Sequence, residues 1–190
     1  MLESFFSAFV IILAIMDPFA GMPVFVALTR SLTAAKKIES ANVAIFAAAI
    51  PLVLFTLVGS WILAAFHVSL SSFEIAGGIV LMAMGLQIVF GIALSGERRD
   101  LHIAATIIGV PLITGPGVIT SVIILANQNG YVVPLVAGLV ALFVTWLILR
   151  SANAIHKAIG RDGIEILSRV IGILLVGVAV EFIKQGLAAA

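Results

Sequence analysis

The sequence predicts an all-α membrane protein: six transmembrane helices arranged as a three-plus-three inverted repeat, with spans one and four discontinuous. Three observations carry that expectation. The 190 residues are 63% hydrophobic and only 10% charged, with a mean hydropathy of +1.30; a soluble domain is about 45–50% apolar and about 25% charged. Uncharged runs long enough to cross a bilayer recur along the chain. All six prolines fall inside those runs and none in the charged loops.

A globule of this length has no way to hide so much apolar surface. Soluble globular, disordered, nucleic-acid-binding and disulfide-stapled secreted classes are therefore excluded. The net charge of +1 offers no bulk attraction for a polyanion. With no cysteine in the chain, disulfides, thiolate metal sites and thiol-redox relays are excluded as well. The expected partners are the lipid bilayer, a small ligand and a second copy of the chain, with no nucleic acid.

The first run, 4–29, is interrupted only by Asp17. The opening residues lack a basic n-region and a clean small-residue cleavage site, so they read as the first membrane helix and not as a signal peptide. The uncharged run 40–73 holds span two, expected at 41–66, and the run 75–96 holds span three, expected at 73–94. At 49 residues, the run 101–149 must hold two spans. Its expected turn is Asn127-Gln128-Asn129-Gly130, separating span four (103–126) from span five (131–150). The sixth span is expected at 166–187. The charged connector Gly96-Glu97-Arg98-Arg99-Asp100 divides the chain into halves 1–95 and 96–190.

With six spans the loops alternate sides. One side receives Arg30, Lys36, Lys37, Arg98, Arg99, Arg150, Lys157, Arg161 and Arg169, nine of the ten basic residues, and the other receives only Lys184. The positive-inside rule makes the first side cytoplasmic and places both termini outside.

Two proline pairs share one spacing. Pro18 and Pro23 stand in DPFAGMPVFVAL, Pro111 and Pro116 in VPLITGPGVITSVI, offset by 93 residues. A weaker echo at an offset of 94 pairs Gly78-Ile79 with Gly172-Ile173, and Gln87 with Glu181. Three spans is an odd number, so the second half must enter the membrane from the opposite face. Proline removes a helical hydrogen bond and clashes with the preceding turn. Paired prolines with glycine beside them should break the helix, and broken backbone in hydrocarbon is tolerated only where it is buried in protein or lines a polar cavity. Matched broken helices in two halves point to a midplane transport site; the alternative is a pair of kinks that only shape the packing.

Gly115-Pro116-Gly117 is the sharper of the two breaks. Proline suits the first helical position, so the segment 117–126 should begin a half-helix whose free N–H groups and positive end attract a carboxylate. The first break offers a similar end around residues 21–24. The candidate substrate-binding residues are Asp17, Pro18, Gly21, Pro23, Thr114, Gly115, Pro116, Gly117, Thr120 and Ser121. Thr114 lies beside the gap and is favoured for ligand contact, while the other hydroxyls can re-satisfy freed backbone.

Asp17 lies 13 residues before Arg30, roughly 20 Å from the cytoplasmic interface by the helical rise. A carboxyl at that depth is a functional candidate by default, or an N-cap before Pro18. Glu181 follows the uncharged stretch 170–180 and lies roughly 18 Å beyond Arg169 by the same rise. It reads either as a partly buried coupling carboxylate or as an outer-leaflet charge paired with Lys184. Gln87 is a polar group at depth. These three are the ion-coupling candidates, for a proton or sodium. Glu74, at the outer end of span three, reads as an interfacial charge. Gly77, Gly78, Gly85, Gly172 and Gly177 read as helix-packing positions, and Trp61 and Trp146 as interfacial anchors. His67, His102 and His156 show no metal spacing. No catalytic constellation or nucleotide loop is visible, so no enzyme activity, cofactor or metal site is expected.

Four segments carry a family resemblance: Asp17-Pro18-Phe19-Ala20-Gly21-Met22-Pro23, Phe73-Glu74-Ile75-Ala76-Gly77-Gly78, Pro111-Leu112-Ile113-Thr114-Gly115-Pro116-Gly117 and the stretch 169–182. With these, essentially the whole chain resembles the MarC family of integral membrane proteins, also called the UPF0056 group. The resemblance implies a six-span inner-membrane protein, one member type of which is described as a small neutral amino acid transporter for glycine and alanine. The family is also similar to the LysE-type exporters, whose thiol-electron branch needs cysteines that this chain lacks. The leading expectation is therefore a secondary carrier of alanine or glycine. Its substrate carboxylate would sit at the half-helix start after Gly115-Pro116-Gly117, its ammonium at Asp17 or at unwound carbonyls near residues 18–21. The alternatives are a non-transporting structural or regulatory subunit, or an exporter of another small metabolite or drug.

Overall fold

A computed structural model describes residues 2–29, 32–91 and 113–189. The central connector 96–100, the first part of the expected fourth span and Pro111 lie outside the described residues. Every regular element described is a helix: α1 (Leu2–Met16), α2 (Pro18–Leu28), α3 (Ala34–Ala65), α4 (Leu70–Phe90), α5 (Pro116–Asn129), α6 (Val132–Arg150) and α7 (Ala152–Ala188). Four segments are long and apolar enough to cross a membrane: α3, α4, α6 and residues Asp162–Ala188 of α7. The 15 residues of α1 and 14 of α5 are each about 21–23 Å long, short of a hydrocarbon core about 30 Å thick.

Helix boundaries differ from the hydropathy reading wherever a cap is present. Thr33 caps α3 by accepting from the Lys36 N–H at 3.4 Å, and Ser69 caps α4 by accepting from the Ser72 N–H at 3.1 Å. Both helices consequently begin several residues before their apolar runs, since a hydroxyl acceptor satisfies an orphan donor in polar surroundings as well as in apolar ones. α4 ends at Gly91 in the left-handed conformation (φ 66°), a common helix stop. The expected turn 127–130 is shorter than read. α5 continues through Asn129 and stops at Gly130 (φ 76°). At Gly160, which adopts φ 75° and ψ 174°, α7 bends, setting a short leading piece apart from the membrane segment.

α4 and α7 make the most extensive helix pair, and glycine explains why. A Cβ on Gly78 would stand 2.7 Å from the Ala179 carbonyl, one on Gly85 2.9 Å from the Gly172 carbonyl, one on Gly172 3.0 Å from the Gly85 carbonyl, and one on Gly186 2.6 Å from the Ser71 carbonyl. The two backbones touch along an antiparallel seam that only hydrogen side chains permit. Gly177, read from sequence as a packing residue, meets nothing within 4 Å. Gly77 turns instead toward α5, where Thr120 leaves no space for a Cβ. One end of the bundle gathers the start of α1, the end of α3, the start of α4 and the ends of α5 and α7. Asn127 donates to Ser60 at 3.0 Å there, and Gln128 donates to Gln185 at 2.9 Å.

Candidate functional site

The first break is a single residue. Asp17 separates α1 from α2 with φ 35°, a region that aspartate enters more readily than most side chains. Its N–H donates back to Leu13 and Ala14, both at 3.2 Å, closing α1, and its carbonyl accepts from the Gly21 N–H at 3.2 Å, opening α2. Pro18 takes the first position of α2, where its missing N–H costs nothing. The N–H groups of Phe19 and Ala20 precede that first intrahelical bond. The helix start therefore lies at Pro18, ahead of the expected 21–24, and Gly21 and Pro23 belong to the helical backbone of α2. The cause is the left-handed turn at Asp17, which breaks the chain before the second proline of the pair is reached.

The second break follows its expectation more closely. Gly115 is the extended N-cap residue of α5 and Pro116 its first residue. The first intrahelical bond is Ile119 N–H to Gly115 carbonyl at 3.1 Å, which leaves the N–H groups of Gly117 and Val118 at the open end.

The two helix starts are neighbours. A Cβ on Gly117 would lie 3.0 Å from Ile15 and 2.8 Å from Leu81. Gly117 thus serves close packing of α5 against α1 and α4, and the ligand approach expected there is filled by side chains. Ile113, just before the second start, lines the same small cavity as Met16, Asp17, Pro18, Gly21, Phe25, Ala44, Thr145 and Leu149. That cavity measures about 10 Å³, the space of at most one water. Asp17 is 4% exposed, a carboxyl enclosed by protein.

The hydroxyls are engaged. Thr114 donates to the Ala48 carbonyl of α3 at 2.8 Å, Thr120 to the Pro116 carbonyl at 2.9 Å and Ser121 to the Gly117 carbonyl at 2.8 Å. Each has its proton committed to backbone and retains acceptor capacity. Thr114 ties the unwound segment to α3, while Thr120 and Ser121 bond back one turn, a common habit of helical hydroxyls. Thr145 of α6 was not among the sequence candidates. It is fully buried, donates to Ala141 at 2.8 Å and lies 3.8 Å from the Met16 sulfur. A lone hydroxyl inside the otherwise apolar second half of span five is the available signal.

Two coupling candidates lie apart from this centre. The Glu181 side chain is 54% exposed, accepts from Lys184 at 3.0 Å and lines a cavity, so the expected pairing with Lys184 and a cavity-facing position occur together. α7 carries it to the polar end of the bundle, beyond the depth of the breaks. Gln87 sits half-buried in the last turn of α4 and does not line the cavity around Asp17. Glu74 reverses its expectation. It is 5% exposed, and Gln128 donates to it at 3.4 Å, because α5 and α7 close over the start of α4. At the same end a larger cavity of about 440 Å³ is lined by residues including Glu3, Ser7, Leu125, Gln128, Asn129, Glu181 and Gln185, a volume in the range of small-molecule sites.

Residues 2–190 match the MarC family of integral membrane proteins. The chain is 35% identical to a UPF0056 membrane protein of Methanocaldococcus jannaschii, covering 98% of this chain and 97% of that one. It is 32% identical to one of Pyrococcus abyssi, covering 98% and 95%, and 30% identical to one of Buchnera aphidicola, covering 94% and 89%. No solved structure matches. Taken with four membrane-length helices, these similarities show that the chain is a multi-pass integral membrane protein and belongs to the MarC family.

Proposed function

We propose that this protein is a secondary carrier of small neutral amino acids, with alanine and glycine its expected substrates, built on six spans in a three-plus-three inverted repeat. The observation that carries the reading is the meeting of two helix N-terminal ends beside buried Asp17. The start of α5 would receive the substrate carboxylate, and Asp17 with the carbonyls at the first break would receive the ammonium. Small side chains and hydroxyl oxygens around the breaks suit a ligand with little or no side chain. The proton or sodium gradient would supply the driving force.

The seam between α4 and α7 supports the inverted repeat. Gly78 meets Ala179 as Gly172 meets Gly85, and the offset of 94 residues converts one contact into the other. A two-fold relation between the halves produces such reciprocal pairs. The cavity of about 10 Å³ at the breaks belongs, on this reading, to a conformer shut at the midplane, with the larger cavity as its outer vestibule. That same closure favours the alternative, a non-transporting structural or regulatory subunit whose breaks serve packing only.

Counterflow separates the two. Liposomes holding the purified chain and preloaded with unlabelled alanine are expected to accumulate external labelled alanine transiently, above protein-free liposomes. No exchange across a panel of glycine, alanine, serine and other small metabolites would leave the subunit reading in place.

A further inference from the structure

We propose that Glu74 is the proton-carrying group of an outer gate, and that Gln128 converts its protonation into a change in how α5 is held to α7. Glu74 is a buried carboxyl that the central site does not use. Gln128 presents one amide nitrogen to two acceptors, Glu74 at 3.4 Å and the Gln185 side-chain oxygen at 2.9 Å. Gln185 in turn donates to Glu181 at 3.5 Å, and Glu181 accepts from Lys184 at 3.0 Å. Five side chains on three helices thus form one line from an exposed ion pair to a buried carboxyl. Gln128 also lines the 440 Å³ cavity, so the side chain that meets Glu74 also faces open space.

The chemistry makes this line a switch. A hydronium ion that passes Gln128 gives a proton to a Glu74 oxygen and leaves as water. The carboxylate, an acceptor only, becomes an acid with one O–H donor. When the proton sits on Oε1, the oxygen that Gln128 meets, that oxygen becomes a donor, and Gln128 turns its amide oxygen, in place of its NH₂, toward Glu74. The turned oxygen faces the oxygen of Gln185, acceptor against acceptor, and the tie between α5 and α7 is lost unless Gln185 turns as well and releases Glu181. α5 carries no titratable side chain of its own, and α4 carries none besides Glu74. Among the described residues, the titratable groups arranged around this end are Glu181 and Lys184 on α7, paired to each other, Glu3 on α1 across the cavity, His67 in the turn leading into α4 and Tyr131 just after α5.

The same helix reaches the centre. Gln128 stands 12 residues beyond Pro116 on α5, about 18 Å along a rigid rod, and Gly77, three residues after Glu74, seats Thr120 of α5. Loosening α5 at its outer end frees it to move at the break. The coupling role rests on the carrier reading, whereas the switch itself can be measured without transport.

The cysteine-free sequence allows that measurement. Leu125, 5% exposed and lining the cavity, is replaced by cysteine (Leu125→Cys), with Ala189→Cys at the exposed end of α7 as the reference. Labelling of the full chain in liposomes by a membrane-impermeant maleimide is read as the ratio of the two rates, which cancels the thiol's own pH dependence. On acidification the ratio is expected to rise about fivefold, the shift produced by removing one buried hydrogen bond. In the Glu74→Gln background it should stay flat, and Glu74→Asp should restore its slope. A flat ratio in the parent, or an undiminished slope with Glu74→Gln, would overturn the switch. If Glu74→Gln protein fails to reach the membrane, Gln128→Leu is read in its place with the same expected loss of slope. Counterflow of the parent is run in parallel: exchange without a pH-dependent ratio rejects the switch alone, and a pH-dependent ratio without exchange rejects the carrier alone.

Discussion

Asp17 meets two demands that are usually divided between residues. Its backbone occupies the left-handed region at the gap between α1 and α2, and its side chain places a carboxyl in the buried interior. Either demand alone would explain an unusual residue there, and substitution can separate them. Asparagine tolerates the same positive φ and nearly the same volume, but has no charge to offer an ammonium group. Asp17→Asn is therefore expected to lower alanine counterflow by about tenfold, the loss of one charge-assisted contact, with expression little changed. Asp17→Ala loses the conformational tolerance too and should lower both. Equal losses of counterflow and expression in Asp17→Asn would reduce Asp17 to a structural hinge. The neighbouring hydroxyls show why their roles were hard to read from sequence. Thr114 sits where a ligand contact was expected, yet its proton goes to Ala48, 66 residues away, a partner that only the packing of α3 reveals.

At the scale of elements, the glycine seam between α4 and α7 makes a graded prediction. A side chain at Gly85 or Gly172 must displace a carbonyl on the opposing helix, and backbone cannot rotate aside as a side chain does. Gly85→Val and Gly172→Val are each expected to cost about 1–3 kcal/mol of stability, in the range of overpacked cores. The melting temperature in detergent, followed by the monodisperse fraction on size exclusion, should fall for both. Gly177→Ala meets open space and should leave it unchanged or slightly raised, since alanine favours the helix. Equal melting of all three variants would remove the seam as the source of the α4–α7 contact. The elements also mark where sequence reading succeeds. Hydropathy located the membrane-length helices because a bilayer imposes a length, and Pro116 located the start of α5 because proline and glycine impose a backbone. It failed at Pro23, where the left-handed turn at Asp17 had already broken the chain. It failed again at Glu74, whose burial depends on Gln128, a residue 54 positions away that was read as part of a turn. Long-range partners leave no local trace.

For the molecule as a whole, the decisive quantity is the number of crossings between its two ends. Glu3 and Gln185 line one cavity, so the start of α1 and the end of α7 lie at the same end of the bundle, the arrangement that the proposed six-span repeat predicts. The basic residues favour a side for that end: Lys36 and Lys37 open α3 and Arg150 closes α6, all at the far end, and among the described residues only Lys184 accompanies Glu3, Glu74 and Glu181 at the near one. The positive-inside rule predicts a cytoplasmic far end. Epitope tags at the two termini are accordingly both expected to be reached by antibody or protease on intact spheroplasts, with a tag beside Arg150 protected until the membrane is opened. A protected N-terminus with an exposed C-terminus would mean an odd number of crossings, and would remove the inverted repeat together with the two-fold reading of the glycine seam. Both termini protected would keep the repeat but reverse the molecule, placing the larger cavity and Glu74 on the cytoplasmic side. The gate would then answer to cytoplasmic pH, and α5 would open the central site toward the opposite solution.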